Sequence, residues 1–135
     1  MYQTHEYTKR FPEWLTLKAN LHGQDHEPPH VSERDLWWAS LGENIGSEVN
    51  GKSKQFSRPV VILKKLARGF YLVVPTTTQD KKGSWYVSFT HQDVLMVACL
   101  HQIRTIDHKR LWSRLGRMDT ADFKKLKRAF FDLYR

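Results

Sequence analysis

From Asp35 to His101 the chain is divided into short runs rich in Val, Ile, Trp, Tyr and Phe, each cut off by glycine, proline or small polar residues. Runs this short suit strands, whose β-branched and aromatic side chains fit a pleated, half-buried surface. The pattern predicts strands at Asp35–Leu41, Pro59–Leu66, Phe70–Pro75, Ser84–Phe89 and Val94–His101. Ala67-Arg68-Gly69 reads as a hairpin turn in which Gly69 supplies the positive φ, so Val60–Leu66 and Phe70–Pro75 are predicted to pair antiparallel. Several short strands in succession imply a barrel.

After residue 118 the period changes. Phe123, Leu126, Phe130 and Leu133 recur at helical spacing, Asp119 stands where it can cap the first turn, and Met118 where a hydrophobic staple would touch Phe123. Lys124, Lys125, Lys127 and Arg128 of this closing helix fall largely on its polar side and read as a solvated face. Near the other end, residues 8–22 carry Phe11, Trp14, Leu15, Leu17 and Leu21 in a partial helical pattern, with Pro12 tolerable in the first turn. The glycine and double proline of Gly23-Gln24-Asp25-His26-Glu27-Pro28-Pro29-His30 forbid regular structure there. The reading is therefore a helical extension and linker over 1–32 and a compact domain over 33–135.

A length of 135 residues bounds the chain to one ordinary domain. With 22 Lys+Arg against 14 Asp+Glu the formal charge is +8, which draws in polyanions, either nucleic acid or an acidic protein. Charge alone does not separate these from a basic protein that binds neither. The single cysteine, Cys99, lies in an apolar run and reads as a small buried thiol; the absence of a disulfide framework suits a reducing cytoplasm. Met1–Glu6 lacks a signal-peptide apolar stretch and no run is long enough to cross a bilayer, so a cytoplasmic protein with no membrane partner is expected. His22, His26 and His30 are evenly spaced, but the intervening glycine and prolines deny them the helix that would align them, and neither a metal nor another cofactor is expected.

Four segments, in order, resemble the PemK/MazF toxin family. They are Leu36-Trp37-Trp38-Ala39-Ser40-Leu41-Gly42-Glu43-Asn44-Ile45-Gly46-Ser47-Glu48, Phe56-Ser57-Arg58-Pro59-Val60-Val61-Ile62-Leu63, Val74-Pro75-Thr76-Thr77-Thr78-Gln79-Asp80-Lys81-Lys82-Gly83-Ser84-Trp85-Tyr86, and Gln102-Ile103-Arg104-Thr105-Ile106-Asp107-His108-Lys109-Arg110-Leu111. The likeness spans roughly residues 33–134. It implies an α+β chain built on an SH3-like β-barrel, between the N-terminal helical extension and the C-terminal helix. It also implies a toxin that cleaves single-stranded RNA without metal, works as a homodimer, and is restrained by a cognate antitoxin protein. In that chemistry the ribose 2′-hydroxyl attacks its own phosphate, leaving a 2′,3′-cyclic phosphate and a 5′-hydroxyl.

By the resemblance, Arg58 matches the catalytic arginine, Thr77 the catalytic threonine and Thr78 its neighbour. A guanidinium fork suits two phosphate oxygens, and a hydroxyl donates without adding charge. Ser47 and Glu48 match a Ser-Glu pair in a mobile loop over which RNA passes; Gln79, Gln102 and Arg104 match residues beside the RNA groove. His101 departs from the family, which often has serine or aspartate there. An imidazole can accept the 2′-hydroxyl proton, as Glu48 can, but a strand-end histidine bonded to a carbonyl is the plainer alternative. Trp37, Trp38, Trp85 and Tyr86 fill a core or stack on bases, and both readings stay open. Two rival functions also remain: a non-cutting SH3-like module that binds RNA or protein, and a gyrase poison on the same fold.

Overall fold

The computed structural model describes residues 9–53 and 55–135; the Met1–Glu6 segment and the first position of the leading helical pattern lie outside them. Helix α1 (Phe11–Gly23) precedes strands β1 (Asp35–Ser40), β2 (Ser57–Ala67), β3 (Phe70–Thr77), β4 (Tyr86–His91), β5 (Val94–Cys99), β6 (Arg104–Asp107) and β7 (Leu111–Arg117), and helix α2 (Thr120–Tyr134) closes the chain. The strands pair antiparallel in the order β4-β5-β3-β2-β1-β7, with β6 added to the free stretch of β3. Among the described residues no helix is long and apolar enough to cross a membrane.

The hairpin forms as its sequence predicts. Ala67 pairs with Phe70 across Arg68-Gly69, and Gly69 has φ +79°. The C-terminal helix also starts where its cap predicts, since the Asp119 carboxylate accepts the N–H of Ala121 at 3.2 Å. Met118 and Phe123 are buried in one cluster with Leu126. Two strands, β6 and β7, are absent from the sequence prediction: each is short or edge-placed and carries charged residues, so neither shows an apolar run.

The sheet is not closed, which corrects the SH3-like barrel. β4 and β7 end the strand order and make no ladder with each other. The physical reason lies in β1, β2 and β3, whose successive side chains go to opposite faces and are buried on both. Leu36, Val61, Leu63 and Val74 join Val87, Phe89, Met96 and the α2 residues on one side. Trp37, Val60, Ile62, Tyr71 and Val73 join Val31, Ile106 and Leu111 on the other. A closed barrel has one dry interior, whereas a sheet covered on both faces needs no closure and reads as continuous apolar runs. At the gap, the His91 imidazole at the end of β4 lies against Gly116 of β7, where an added Cβ would stand 2.7 Å from the ring. Val87 and Phe89 of β4 share a cluster with Phe123 and Leu126 of α2, and Leu115 of β7 packs against it.

α1 is fixed to the domain by Trp14, which is buried against Phe56 at a ring separation of 5.6 Å. Its indole lies over Gly42, whose φ is +89° and whose hypothetical Cβ would fall 2.1 Å from the Trp14 ring. The loop joining β1 to β2 begins there.

Candidate active site

β2 brings Arg58 in at its second residue, opposite Ala39 of β1. The half-buried guanidinium donates from Nε to the carbonyl of Asn50 and from Nη1 to the carbonyl of Thr76 at 3.4 Å. Its other N–H groups have no protein partner among the described residues, so part of the fork is left for a ligand. Burial pushes the Arg58 pKa down and the neighbouring Cys99 opposes that; the group stays a cation.

Thr76 and Thr77 end β3 on opposite faces, as the period of a strand requires. The Thr76 hydroxyl donates to the carbonyl of Pro59 at 2.8 Å and is wholly buried. The Thr77 hydroxyl accepts the N–H of Gln79 at 3.2 Å, which fixes its oxygen and leaves its proton to donate elsewhere. Val94–Cys99 is strand, but the chain then tightens into a 3-10 turn at Leu100–Gln102, so His101 leaves the strand that sequence had extended through it. Its exposed ring meets Tyr86 edge-on at 5.2 Å and Trp85 at 6.0 Å.

These elements converge on one cleft of about 340 Å³, lined by Ser47, Val49, Arg58, Thr77, Gln79, Lys81, Tyr86, Cys99, His101 and Gln102. Gln102 braces its rim, accepting the N–H of Val49 at 3.0 Å and donating to the carbonyl of Ser47 at 3.1 Å. Thr78 does not line this cleft; it lies in an adjoining hollow with Trp38, Lys52 and Pro59, which shares Arg58 and Thr77. Glu48 and Arg104 line a third hollow, which shares Val49, His101 and Gln102 with the first. The Glu48 carboxylate caps its own loop by accepting the N–H of Ile45 at 2.9 Å. Burial lowers the Arg104 pKa, and the charge of Glu48 partly restores it.

Sequence reasoning missed Lys81 and Cys99 as cleft residues and Asn50 as an acceptor that holds Arg58, while Tyr86, one of the aromatics it left open, lines the cleft. Cys99 is buried and pairs with Tyr86 across β4 and β5, so strand alternation was the available signal. Burial raises its thiol pKa while Arg58 and Lys81 draw it back. Of the aromatics left open, Trp37 is buried in the core and Trp85 is 42% exposed. His26 packs its ring on His108 at 5.0 Å, away from the cleft.

Residues 32–133 match the model of the PemK-like, MazF-like toxins of type II toxin–antitoxin systems. The chain belongs to that family. Among solved structures, this PemK/MazF-like chain is similar to MazF from Deinococcus radiodurans, with a TM-score of 0.64, 20% identity, and coverage of 81% of this chain and 97% of that one. It is also similar to an endoribonuclease from a mycobacterial species in complex with its cognate antitoxin, with a TM-score of 0.60, 18% identity, and coverage of 76% and 93%. A third is the Mycobacterium tuberculosis toxin MazF-mt6, with a TM-score of 0.58, 18% identity, and coverage of 75% and 96%. At these identities the likeness is one of fold. No curated protein sequence matches significantly.

Proposed function

We propose that this toxin is a metal-independent endoribonuclease that cuts single-stranded RNA, with the substrate's own 2′-hydroxyl as nucleophile. The observation that carries the reading is the meeting of a partly uncommitted guanidinium, Arg58, and an oriented hydroxyl, Thr77, on one basic cleft. Because the nucleophile comes with the RNA, the protein has three tasks: to hold the in-line geometry, to stabilise the charge that builds on the phosphorane, and to move two protons.

Arg58 grips the non-bridging oxygens and carries the developing charge, while Thr77 donates to one of them. His101, across the cleft, accepts the 2′-hydroxyl proton as the O2′–P bond forms; the P–O5′ bond then breaks and the leaving 5′-oxygen takes its proton from water, giving the 5′-hydroxyl. Ser47, Gln79 and Gln102 meet the RNA along the rim, and Thr78, Glu48 and Arg104 meet it in the adjoining hollows. In the cell a cognate antitoxin binds this toxin and occludes the same cleft, a reading supported as to the partner by the antitoxin-bound relative, and the active form is a homodimer.

The test is incubation of the purified chain with single-stranded RNA and mapping of the ends. Cleavage leaving 2′,3′-cyclic phosphates, lost by at least about a hundredfold in Arg58→Ala, is expected, since removing one charge-stabilising donor costs about 10²–10³ in rate. Binding without cleavage would favour the non-cutting module, and broken DNA on induction the gyrase poison. An unaltered pH–rate profile in His101→Asn would move the proton acceptor elsewhere.

A further inference from the structure

The loop between β1 and β2 does not hold its shape alone. Asn50 stands at its centre: its backbone carbonyl accepts Arg58 Nε, and its side-chain Oδ1 accepts the N–H of Asn44 at 2.6 Å and Lys9 Nζ at 3.2 Å. Lys9 also donates to the carbonyl of Asn44. Asn44 in turn donates to the carbonyls of Val49 at 2.7 Å and Leu41 at 3.2 Å, closing the loop on itself.

The next residue, Arg10, reinforces the same grip. Its N–H bonds Glu43 Oε2 at 2.8 Å, its guanidinium pairs with the fully buried Glu43 carboxylate at 3.7 Å, and Nη1 donates to the carbonyl of Ser53 at 3.0 Å. It also lies 4.0 Å over the Phe56 ring. Residues 9–14 therefore touch the loop at its start, middle and end. They lie before residue 32, where the match to the family begins.

We propose that Lys9 and Asn50 are positioning residues for Arg58: the segment leading into α1 sets the loop, and the loop sets the guanidinium through the Asn50 carbonyl. Of the two backbone carbonyls that aim this arginine, that of Thr76 belongs to a strand and that of Asn50 to the loop; when the loop drifts the guanidinium loses its aim, and misplacement of this kind slows chemistry more than it weakens binding. The consequence for catalysis rests on the ribonuclease reading; the consequence for Arg58 geometry does not.

The experiment compares Lys9→Met and Asn50→Ala with Lys9→Arg and Asn50→Asp, which keep the donor and the acceptor. On a fluorogenic single-stranded RNA, the first two are expected to lower kcat by about tenfold or more with KM within about twofold, and the second two to recover most of it. In parallel, proton exchange at Arg58 Nε, followed by NMR in the full chain, is expected to be slow in the native protein and in the conservative pair and faster in Lys9→Met and Asn50→Ala. Unchanged exchange overturns the proposal. So does a loss confined to KM, or an equal loss in Lys9→Met and Lys9→Arg. If the native chain cuts no RNA, the ribonuclease reading fails while the exchange measurement still decides the positioning claim.

Discussion

A carboxylate buried as deeply as that of Asp35 stays ionised only where donors outweigh the loss of water. Burial alone would raise its pKa, but the N–H of Ser32, the Trp37 indole, Arg117 and Arg114 together bring it below the ordinary 3.8. The Arg117 contact is 3.1 Å and the Arg114 contact 3.4 Å. A depressed folded-state value means that the ionised group stabilises the fold fully above the unfolded value and that this share is lost as pH falls below about 3.8. Asp35→Asn is expected to lower stability by about 2 kcal/mol at neutral pH, from weakened bonds to charged partners, and to flatten the acid limb of a denaturation series. An equally steep limb would show that Asp35 does not drive it. At this level the sequence was legible where the residue type itself is the signal: Arg58 and Thr77 stand in motifs that depend on it, and both line one cleft. Asn50 was not, because it holds Arg58 with a backbone carbonyl, which every residue type possesses.

The β1–β2 loop and α1 meet at Gly42. A methyl group there collides with the Trp14 indole and must also sit at a φ of +89°, which side chains with a Cβ rarely adopt. Gly42→Ala is expected to push α1 off, lowering the melting temperature and exposing Trp14, with a red shift of its fluorescence. Trp14→Ala should cost about 3–5 kcal/mol by leaving a cavity instead. A Gly42→Ala protein with native fluorescence and melting would mean that α1 contributes nothing to the fold. Elements with strong local signals were readable before the structure: the β2–β3 hairpin from Gly69, and α2 from its cap and apolar stripe. β6 and β7 were not, since their places are decided by long-range pairing with β3 and β1. The barrel was misread for a related reason. Short apolar runs report burial but do not say whether one face or two are covered, and only the second face, supplied by distant residues such as Val31, Ile106 and Leu111, distinguishes the cases.

For the molecule as a whole, a net charge of +8 implies that polyanion binding is driven largely by release of counterions. Arg58 and Lys81 in the cleft and Arg104 beside it supply the cations nearest the proposed RNA path. Binding of a non-cleavable single strand is expected to weaken with salt, with a log–log slope of about −2 if these three each neutralise one phosphate, and Lys81→Gln should reduce the slope by about 0.7. A slope near zero would mean that nucleic acid does not lie along this surface.

The β4–β5 hairpin, which supplies Tyr86 to the cleft wall, joins the β3 ladder through two register pairs, Thr76 with Ala98 and Thr77 with Val97. Thr77 is thus half of a two-pair register as well as the proposed donor to the phosphate. The pairing is made by main-chain atoms, so exchanging its hydroxyl for a methyl in Thr77→Val is expected to abolish the proposed cleavage and leave the strands joined. Thr77→Pro, lacking both the N–H and the hydroxyl, is expected to loosen the wall as well.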